Sequence, residues 1–224
     1  MKVRINKSVA SGSINAPSSK SYAHRLLICA ALSGGGEVRN VELSNDIKAT
    51  LGALSSLGYK YKITGKTVKF VGKTRKNLEI NCLESGSTLR FMIPVAMVHN
   101  KQSIFTGTEK LFSRGLIIYE NIFKSQGIDY KLEKNLLKIN GQLKPGKYEV
   151  DASISSQFAS GLLFALPLLN GDSEIVLSGK IESKPYLDIT LDCLKQSGIE
   201  IEEHGRIYKI KGGQFYHLKE AEVV

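Results

Sequence analysis

Leu57-Gly-Tyr-Lys-Tyr-Lys-Ile63 has two counterparts further along the chain, Gln126-Gly-Ile-Asp-Tyr-Lys-Leu132 and Ser197-Gly-Ile-Glu-Ile-Glu-Glu203. In each copy the Gly follows a helical pattern, as a helix C-terminal cap would, and alternating strand residues come after it. Each copy then turns back through a second strand and closes on another Gly, at the same distance from the first in all three: Gly72, Gly141 and Gly212. The opening glycines recur at nearly equal intervals along the chain, so the sequence has an internal structural repeat.

The residues before each hairpin extend this repeat. An amphipathic helix is predicted upstream of every hairpin, at residues 46–57, 113–126 and 185–196. A strand precedes each of these helices, and a more apolar helix precedes each strand, at residues 21–32, 87–98 and 156–169. Further strands are expected before the second and third apolar helices, and residues 3–14 would supply the strand before the first.

The repeating unit is therefore strand-helix-strand-helix-strand-strand (βαβαββ), and three units occupy about residues 14–72, 78–141 and 147–212. Crossovers through a helix give parallel strand pairs, whereas the closing hairpin gives an antiparallel pair. The first helix of each unit is apolar on nearly all sides and is predicted to be buried. The sequence thus predicts an α/β fold, a single domain spanning residues 1–224, with three buried helices packed together and the sheets outside them.

A short polar loop leads into each apolar helix, and the first is Ala16-Pro-Ser-Ser-Lys-Ser-Tyr-Ala-His-Arg25. Lys20 and Ser21 fall in the first helical turn, where free backbone N–H groups and the helix dipole attract anions. Ser21 and Arg25 are four residues apart, so they share one face of the helix. The corresponding loops are Glu84-Ser-Gly-Ser-Thr88 and Ser153-Ile-Ser-Ser-Gln157.

Serine at a helix start is usually an N-cap, and that explanation suffices for any one of these loops alone. Approximate threefold packing of the units would, however, bring the three helix starts to one end of the domain. Three coincident serine-rich starts, accompanied by Lys20, Arg25 and Arg90, predict a site where N–H groups, hydroxyls and cations converge. The expected ligand carries phosphate or carboxylate groups.

Other residues are assigned to the starts of the second helices. Arg114 is predicted to open that helix in the middle unit, where a cation opposes the helix dipole and needs an anionic partner. Ser183 is a candidate N-cap in the third unit with Tyr186 a candidate ligand contact, and Asp46 is expected to be an N-cap in the first. The four His residues show no metal-ligand spacing, so no metal or cofactor is expected, and no general base is evident.

Composition limits the class of protein. The chain of 224 residues is 42% hydrophobic and has a formal net charge of +10. Nucleic-acid binding would explain that charge, but the Lys residues are scattered among strands without an aromatic platform, which favours a basic surface that attracts small anions. Three separated Cys residues indicate buried free thiols in a reducing cytoplasm. No apolar run approaches the roughly 18 residues that span a bilayer, and the first residues are too polar for a signal peptide.

Four motifs together resemble the family of 5-enolpyruvylshikimate-3-phosphate (EPSP) synthases. They are Pro17-Ser-Ser-Lys-Ser-Tyr-Ala-His-Arg25, Glu84-Ser-Gly-Ser-Thr-Leu-Arg90, Ser155-Ser-Gln-Phe158 and Ser183-Lys-Pro-Tyr-Leu-Asp-Ile-Thr-Leu191, which stand in the family order and cover most of the chain. The resemblance implies one domain, the amino-terminal and shikimate-3-phosphate-binding one, of a two-domain inside-out α/β barrel. It also implies a cytoplasmic enzyme of the shikimate pathway, the target of glyphosate, that transfers the enolpyruvyl group of phosphoenolpyruvate to the 5-hydroxyl of shikimate 3-phosphate.

The resemblance further implies a role for each matching residue. Lys20 would lie between the two substrates, contact phosphoenolpyruvate and assist proton transfer as the catalytic residue. Ser21 and Arg25 would hold the carboxylate and hydroxyl region of shikimate 3-phosphate. Ser155, Ser156 and Ser183 would bind its phosphate, with Tyr186 beside the ring. Gln157 would bridge both substrates, while Gly86 and Arg114 would receive phosphoenolpyruvate.

Two features depart from the family. Glu84 stands where many members carry Asn, and a carboxylate beside an anionic substrate is unfavourable. Family chains are also about twice as long, and their second domain supplies further cationic contacts and an Asp thought to act as base. We therefore expect this chain to be a monomer whose missing partner is a carboxy-terminal domain. Without that domain, we expect the chain to bind shikimate 3-phosphate weakly and to have no turnover.

Three alternatives stay open from the sequence. UDP-N-acetylglucosamine enolpyruvyl transferases share the fold and mechanism, but that family usually has Lys-Asn where this chain has Lys20-Ser21. It also carries a reactive Cys in the loop before the residue matching Arg114, whereas residues 106–113 contain none. A basic nucleic-acid-binding module is favoured by net charge alone, and we expect neither a nucleic-acid nor a membrane partner. The last alternative is a structural domain that acts only with its other half.

Overall fold

The computed structural model describes residues 3–4, 6–9, 11–181 and 183–224. The helices are α1 (Lys20–Leu32), α2 (Asn45–Ser56), α3 (Gly86–His99), α4 (Glu109–Phe112), α5 (Ile117–Gln126), α6 (Ser156–Ala165) and α7 (Lys184–Gln196), with a 3-10 turn, Leu166–Leu168, after α6. The strands are β1 (Glu37–Arg39), β2 (Tyr59–Thr64), β3 (Thr67–Lys73), β4 (Glu79–Asn81), β5 (Gln102–Thr106), β6 (Asp129–Glu133), β7 (Leu136–Asn140), β8 (Lys147–Asp151), β9 (Ser173–Ser178), β10 (Ile201–His204), β11 (Ile207–Ile210) and β12 (Glu220–Glu222). Within these ranges, every helix falls short of what a membrane crossing requires in length and apolar character.

The strands form three four-stranded sheets of one design. The middle sheet has the order β4-β5-β7-β6, and the third has the order β8-β9-β11-β10. The first two strands of each are parallel, with Ile80 opposite Phe105 and Val150 opposite Leu177. The closing hairpins are antiparallel. The predicted α/β fold of βαβαββ units is confirmed.

The first sheet takes its edge strand from the far end of the chain. Its order is β12-β1-β3-β2, and Ala221 of β12 lies opposite Val38 of β1 in parallel register. The prediction that residues 3–14 supply this strand is wrong wherever the structure describes them: residues 3–4, 6–9 and 11–14 form no strand and are exposed, while residues 5 and 10 lie outside the described residues. The place beside β1 is filled by β12, which buries Ala221 and is fixed by an ion pair between Glu220 and Arg39 at 2.9 Å.

Two predicted helices have different bounds. The helix expected over residues 113–126 is divided, since α4 ends at Phe112 and α5 begins at Ile117. Gly115, between them, has a φ of +77°, a left-handed conformation that interrupts a helix and that Gly adopts without a Cβ clash. The helix expected to reach residue 169 ends at Ala165, because Pro167 has no N–H to continue it and the chain tightens into the 3-10 turn.

The first helices of the three units, α1, α3 and α6, form the centre of the molecule. In α6, every residue from Phe158 to Ala165 is buried. The helices approach most tightly at Gly161, where an added Cβ would overlap the Arg90 carbonyl oxygen, so no side chain fits there. Removal of this apolar surface from water, at about 25 cal/mol per Å², stabilises the helix packing that places the functional site.

Candidate anion-binding site

The three central helices begin with the same cap. Ser19, Ser85 and Ser155 are the N-cap residues of α1, α3 and α6, and each hydroxyl accepts a hydrogen bond of 3.2 to 3.4 Å from a backbone N–H of the first turn. The ordinary capping function of serine is therefore present at all three starts. A helix start has four backbone N–H groups without helical partners, so one capping bond leaves donors for a ligand.

A cavity of about 310 Å³ opens where these helix starts meet. The residues named from the sequence that line it are Ser21, Arg25, Arg90, Arg114, Ser155, Ser156, Gln157, Ser183 and Tyr186, and Ser87 of the second serine-rich loop joins them. Lys20 and Gly86 are adjacent in sequence to lining residues but are not in the wall. The helix starts of all three units thus meet at one end of the molecule, as their packing was predicted to arrange.

Other grooves in the described part of the chain have volumes of 360 to 420 Å³ but a different character. No Arg lines any of these four grooves. In three of them, acidic and basic side chains are mixed, as in the pair of Asp172 and Lys211 at 2.7 Å. The 310 Å³ cavity differs because the charged residues that line it, among those the structure describes, are all arginines.

Arg25 is the most enclosed of the cavity arginines, with 2% of its surface exposed. Its guanidinium donates to Thr190 Oγ1 at 2.7 Å, to the Ser21 carbonyl at 2.9 Å and to the Tyr186 carbonyl at 3.0 Å. These partners are all neutral, and among the described residues Arg25 forms no ion pair with a carboxylate. Burial lowers the pKa of Arg25 to about 10, so the group stays charged at neutral pH. A buried charge without a counter-ion is unfavourable, and a bound anion would relieve that penalty.

Arg90 and Gln157 connect α3 to α6 across the cavity. Arg90 Nη1 donates to Gln157 Oε1 at 2.7 Å, and Gln157 Nε2 donates to Ser87 Oγ at 2.9 Å. Burial lowers the pKa of Arg90, and the positive charge of Arg114 lowers it further. Two guanidinium groups that repel each other across a small cavity favour an anion between them.

Arg114 reaches the cavity from the turn between α4 and α5. The prediction that Arg114 opens the second helix is wrong, because the left-handed backbone conformation of Gly115 interrupts the helix and α5 begins only at Ile117. The side chain still lines the cavity. An added Cβ at Gly86 would lie 3.0 Å from Arg114 Nη1, so the missing side chain at residue 86 leaves room for the guanidinium.

Lys20 begins α1, and its ammonium forms an ion pair with Asp46 at 2.5 Å. The prediction that Asp46 is an N-cap is wrong, because Ser44 is the cap of α2 and accepts a hydrogen bond from the Ile47 N–H. Asp46 lies instead in the first turn, where a carboxylate complements the helix dipole. The side chains of Lys20 and Asp46 are 56% and 33% exposed, and an exposed pair contributes at most about 1 kcal/mol, so Lys20 can exchange Asp46 for a ligand at low cost.

Ser183, Tyr186 and Glu84 complete the set named from the sequence. Ser183 occupies the N-cap position of α7 without a side-chain capping bond. Tyr186 lies in the first turn of α7 and is 48% exposed. Glu84 is exposed and does not line the cavity, so its carboxylate is kept out of the wall that would face an anion.

Sequence patterns missed the residues that hold the cavity arginines in place. Thr190 and Ser160 contact the Arg25 guanidinium, and both are completely buried. A single hydroxyl on a buried helix face changes neither the hydrophobic periodicity nor the charge of the sequence, so neither pattern could identify Thr190 and Ser160 as site residues. His24, beside Arg25, is a core residue: its Nδ1 lies 2.7 Å from Thr50 Oγ1, and burial lowers its pKa to about 4.

Comparisons with known proteins reveal relatives along the whole chain. The family model described as EPSP synthase (3-phosphoshikimate 1-carboxyvinyltransferase) matches residues 5–224. The chain is 45% identical over 228 residues to the 3-phosphoshikimate 1-carboxyvinyltransferase of Clostridium novyi (strain NT), a match that covers 95% of this chain and 52% of that protein. It is 46% identical over 221 residues to the protein of the same name from Clostridium kluyveri, with 96% and 52% covered. The chain spans about half the length of the curated relatives it matches.

Solved structures show the same fold. A structure of EPSP synthase from Acinetobacter baumannii matches with a TM-score of 0.77, covering 95% of this chain and 49% of that chain at 22% sequence identity. A second structure of EPSP synthase from the same organism also gives a TM-score of 0.77, at 23% identity. At such low identity, the likeness concerns the fold alone.

Proposed function

The chain belongs to the EPSP synthase (3-phosphoshikimate 1-carboxyvinyltransferase) family, and we propose that it is the shikimate-3-phosphate-binding half of an enzyme of this family. The complete enzyme would transfer the enolpyruvyl group of phosphoenolpyruvate to the 5-hydroxyl of shikimate 3-phosphate. Both substrates carry a phosphate and a carboxylate. The cavity offers guanidinium groups, hydroxyls and helix N-termini, which are the donors that such groups require.

The observation that carries this proposal is the uncompensated positive charge of the cavity. Arg25, Arg90 and Arg114 line one space of about 310 Å³, and no Asp or Glu of residues 3–4, 6–9, 11–181 and 183–224 lines it with them. Cations that are brought together without carboxylates repel one another and lose solvation, so this arrangement costs free energy in the absence of a ligand. That cost is consistent with a site built for an anion with more than one negative charge.

We assign the phosphate of shikimate 3-phosphate to the start of α6. Ser155, Ser156 and Ser183 line the cavity together, and Ser155 and Ser156 lie at the N-terminal end of the α6 dipole. Ser21 and Arg25 lie on the α1 side, where the buried guanidinium would take the carboxylate and hydroxyl region. Tyr186, whose side chain is partly exposed, would contact the ring of shikimate 3-phosphate.

We assign phosphoenolpyruvate to the α3 side of the cavity. Arg114 and the space above Gly86 would receive it, and Gln157, bonded to both Arg90 and Ser87, would bridge the two substrates. Lys20, in the first turn of α1, would leave Asp46, contact phosphoenolpyruvate and assist proton transfer. The arginines would hold the substrates in a fixed orientation and neutralise their charge, which lowers the barrier for a reaction between two anions.

We further propose that catalysis requires a second domain, which would close over this cavity and supply the remaining cations and the general base. The support is that the chain spans about half the length of its relatives.

The buried free thiols of Cys29, Cys82 and Cys193 fit a reducing cytoplasmic environment. We propose a monomer for this chain, and sedimentation equilibrium would test that.

Reconstitution tests the proposed function. The chain would be mixed with a fragment made of the remaining half of the Clostridium novyi relative, and phosphate release from phosphoenolpyruvate would be measured with shikimate 3-phosphate present. The expected result is turnover in the mixture and none from either part. A Lys20→Met variant should associate normally but remain inactive. Turnover by the chain alone, or full activity of Lys20→Met, would contradict the proposal.

A further inference from the structure

Helix α3 contains a backbone defect directly behind the cavity. Pro94 lies inside the helix, and proline has no N–H group. The carbonyl that an N–H at position 94 would normally satisfy is that of Arg90, four residues earlier. Arg90 is a cavity residue, so the missing bond occurs at a point where backbone geometry controls the placement of a ligand-facing cation.

The hydroxyl of Tyr119 replaces the missing donor. Tyr119, on α5, is 1% exposed and donates a short hydrogen bond to the Arg90 carbonyl, and the Phe158 carbonyl of α6 lies 3.3 Å from the same hydroxyl. Burial raises the pKa of Tyr119, so the hydroxyl keeps its proton and remains a donor. The space exists because residue 161 is Gly: an added Cβ would overlap both the Tyr119 oxygen and the Arg90 carbonyl oxygen.

One hydroxyl therefore holds together the two helices that carry opposite walls of the cavity. Gln157 directly precedes Phe158 in α6, and its Oε1 accepts the 2.7 Å hydrogen bond from Arg90. Apolar packing is not directional and would allow α3 to slide or rotate against α6. A hydrogen bond from a rigid aromatic side chain to a defined carbonyl fixes the register of the two helices.

The other two units carry a hydroxyl at the same place in the repeat. Thr50, Tyr119 and Thr190 recur at the spacing of the repeat, and each stands at the same distance before the Gly that closes its helix. Thr50 Oγ1 contacts His24 of α1 and Thr88 of α3, each at 2.7 Å. Thr190 Oγ1 contacts Ser160 of α6 at 2.8 Å and Arg25 of α1 at 2.7 Å. In every unit, the second helix thus joins its own first helix to the first helix of another unit.

We propose that Tyr119 is a positioning residue of the anion site, whose hydroxyl substitutes for the backbone bond lost at Pro94 and sets α3 against α6 so that Arg90 meets Gln157 across the cavity. Thr50 and Thr190 join helices at the other two junctions through contacts with side chains, without a lost backbone bond to replace. Where shikimate 3-phosphate is used as the ligand, the inference rests on the proposed function. The geometry of Arg90 and Gln157 is independent of it and can be measured without a ligand.

The test compares Tyr119→Phe with the double variant Pro94→Ala/Tyr119→Phe in the 224-residue chain. Alanine at position 94 supplies an N–H to the Arg90 carbonyl but no bond between α3 and α6, so the double variant separates the loss of the backbone bond from the loss of the contact between the helices. Two quantities are measured: the NMR signals of the Arg90 Nε–H and the Gln157 side-chain amide without ligand, and the dissociation constant for shikimate 3-phosphate by calorimetry. We expect Tyr119→Phe to shift both signals and weaken binding about fivefold or more, and the double variant to regain stability but keep both changes, because the Phe158 carbonyl of α6 still lacks the hydroxyl that joins it to α3.

Tyr216→Phe is the matched control. Its hydroxyl also donates to a carbonyl of α6, that of Phe164 at 2.8 Å, but at the end of the helix away from the cavity. This variant should lose stability without moving the Arg90 and Gln157 signals or the dissociation constant.

Unchanged signals in Tyr119→Phe, equal weakening of binding by Tyr216→Phe, or a double variant with parental signals and parental binding would each overturn the inference. If Tyr119→Phe does not fold, the double variant alone decides, because it must fold and must show the shifted signals. If the parent chain does not bind shikimate 3-phosphate, the proposed function fails while the ligand-free signals still decide the role of Tyr119.

Discussion

Arg25 shows how a single side chain carries both the packing and the charge of the site. Its guanidinium fits between neutral oxygens of Ser21, Thr190 and Tyr186, and its charge has no carboxylate partner in the described residues. Donors on all three nitrogens of a rigid plane make that arrangement, and a Lys ammonium cannot reproduce it. The position therefore depends on guanidinium geometry as well as on positive charge.

The Arg25→Lys substitution should weaken the binding of shikimate 3-phosphate by about 10- to 100-fold, the loss expected when hydrogen bonds to a charged group are removed. Calorimetric titration of the chain measures it. Arg75→Lys is the control, because Arg75 is exposed and does not line the cavity. An unchanged dissociation constant for Arg25→Lys would contradict the assignment of this residue to the ligand.

Gly86→Ala should affect the α3 side of the cavity, across from Arg25 on the α1 side. The new Cβ would lie 3.0 Å from Arg114 Nη1, a contact close enough to displace the guanidinium. In the reconstituted enzyme we expect the KM for phosphoenolpyruvate to rise about tenfold, with the KM for shikimate 3-phosphate nearly unchanged. Gly52→Ala is a suitable control, because residue 52 lies in α2 with nothing within 4 Å of an added Cβ. Equal effects on both KM values would show that Gly86 is not specific to the phosphoenolpyruvate side.

Charge and spacing made some site residues predictable and left others hidden. Arg25 and Ser21 were predictable because a cation and a hydroxyl four residues apart on an apolar helix have no packing purpose. Thr190 and Tyr119 were not, because each looks like an ordinary core residue until the partner helix is in place. Only their identical positions in the repeat distinguish them from other core residues.

Strand β12 shows where an element cannot be predicted from local pattern. Its three residues, Glu220–Glu222, come from the opposite end of the chain to β1, with which they pair, and so short a segment has no periodicity to recognise. Residues 3–14 were the nearer candidate by analogy with the other units. The longer hairpins and apolar helices were predictable, because burial on one face imposes a regular pattern over many residues.

Ala221→Asp should therefore destabilise the whole molecule. Ala221 is 8% exposed and lies opposite Val38 in the first sheet, so an aspartate there would be a buried and unpaired charge. We expect a loss of about 2–4 kcal/mol in the free energy of unfolding, measured by urea denaturation. Glu222→Asp on the same strand is the control, since that side chain is 63% exposed. If Ala221→Asp is as stable as the parent, residues 220–222 do not complete the first sheet.

Across the whole molecule, two imidazoles that are largely removed from water link stability to pH. Burial lowers the pKa of His24 and of His99 to about 4, below the value of 6.5 for an unfolded His. The unfolded chain therefore takes up protons first as the pH falls, so this stabilisation is complete above pH 6.5 and is lost between pH 6.5 and pH 4. Each imidazole contributes on the order of 3 kcal/mol to that loss.

Urea denaturation at pH 7.0, 6.0, 5.0 and 4.5 would measure this dependence. We expect the free energy of unfolding to decrease steadily over this series. The double variant His24→Gln/His99→Gln should show a shallower decrease, whatever its absolute stability. An equally steep decrease in the variant would assign the pH dependence to other groups.

The first turns of α1, α3 and α6 line one cavity, so a ligand should be sensed by all three units together. Titration of the isotope-labelled chain with shikimate 3-phosphate, followed through the backbone amides of Ser21, Ser87 and Ser156, measures this. These residues belong to α1, α3 and α6. We predict that the three amide signals shift with one common dissociation constant, and that shikimate without the phosphate leaves Ser156 nearly unmoved. Shifts confined to one helix start, or no shift of any of the three at millimolar ligand, would contradict a shared anion site.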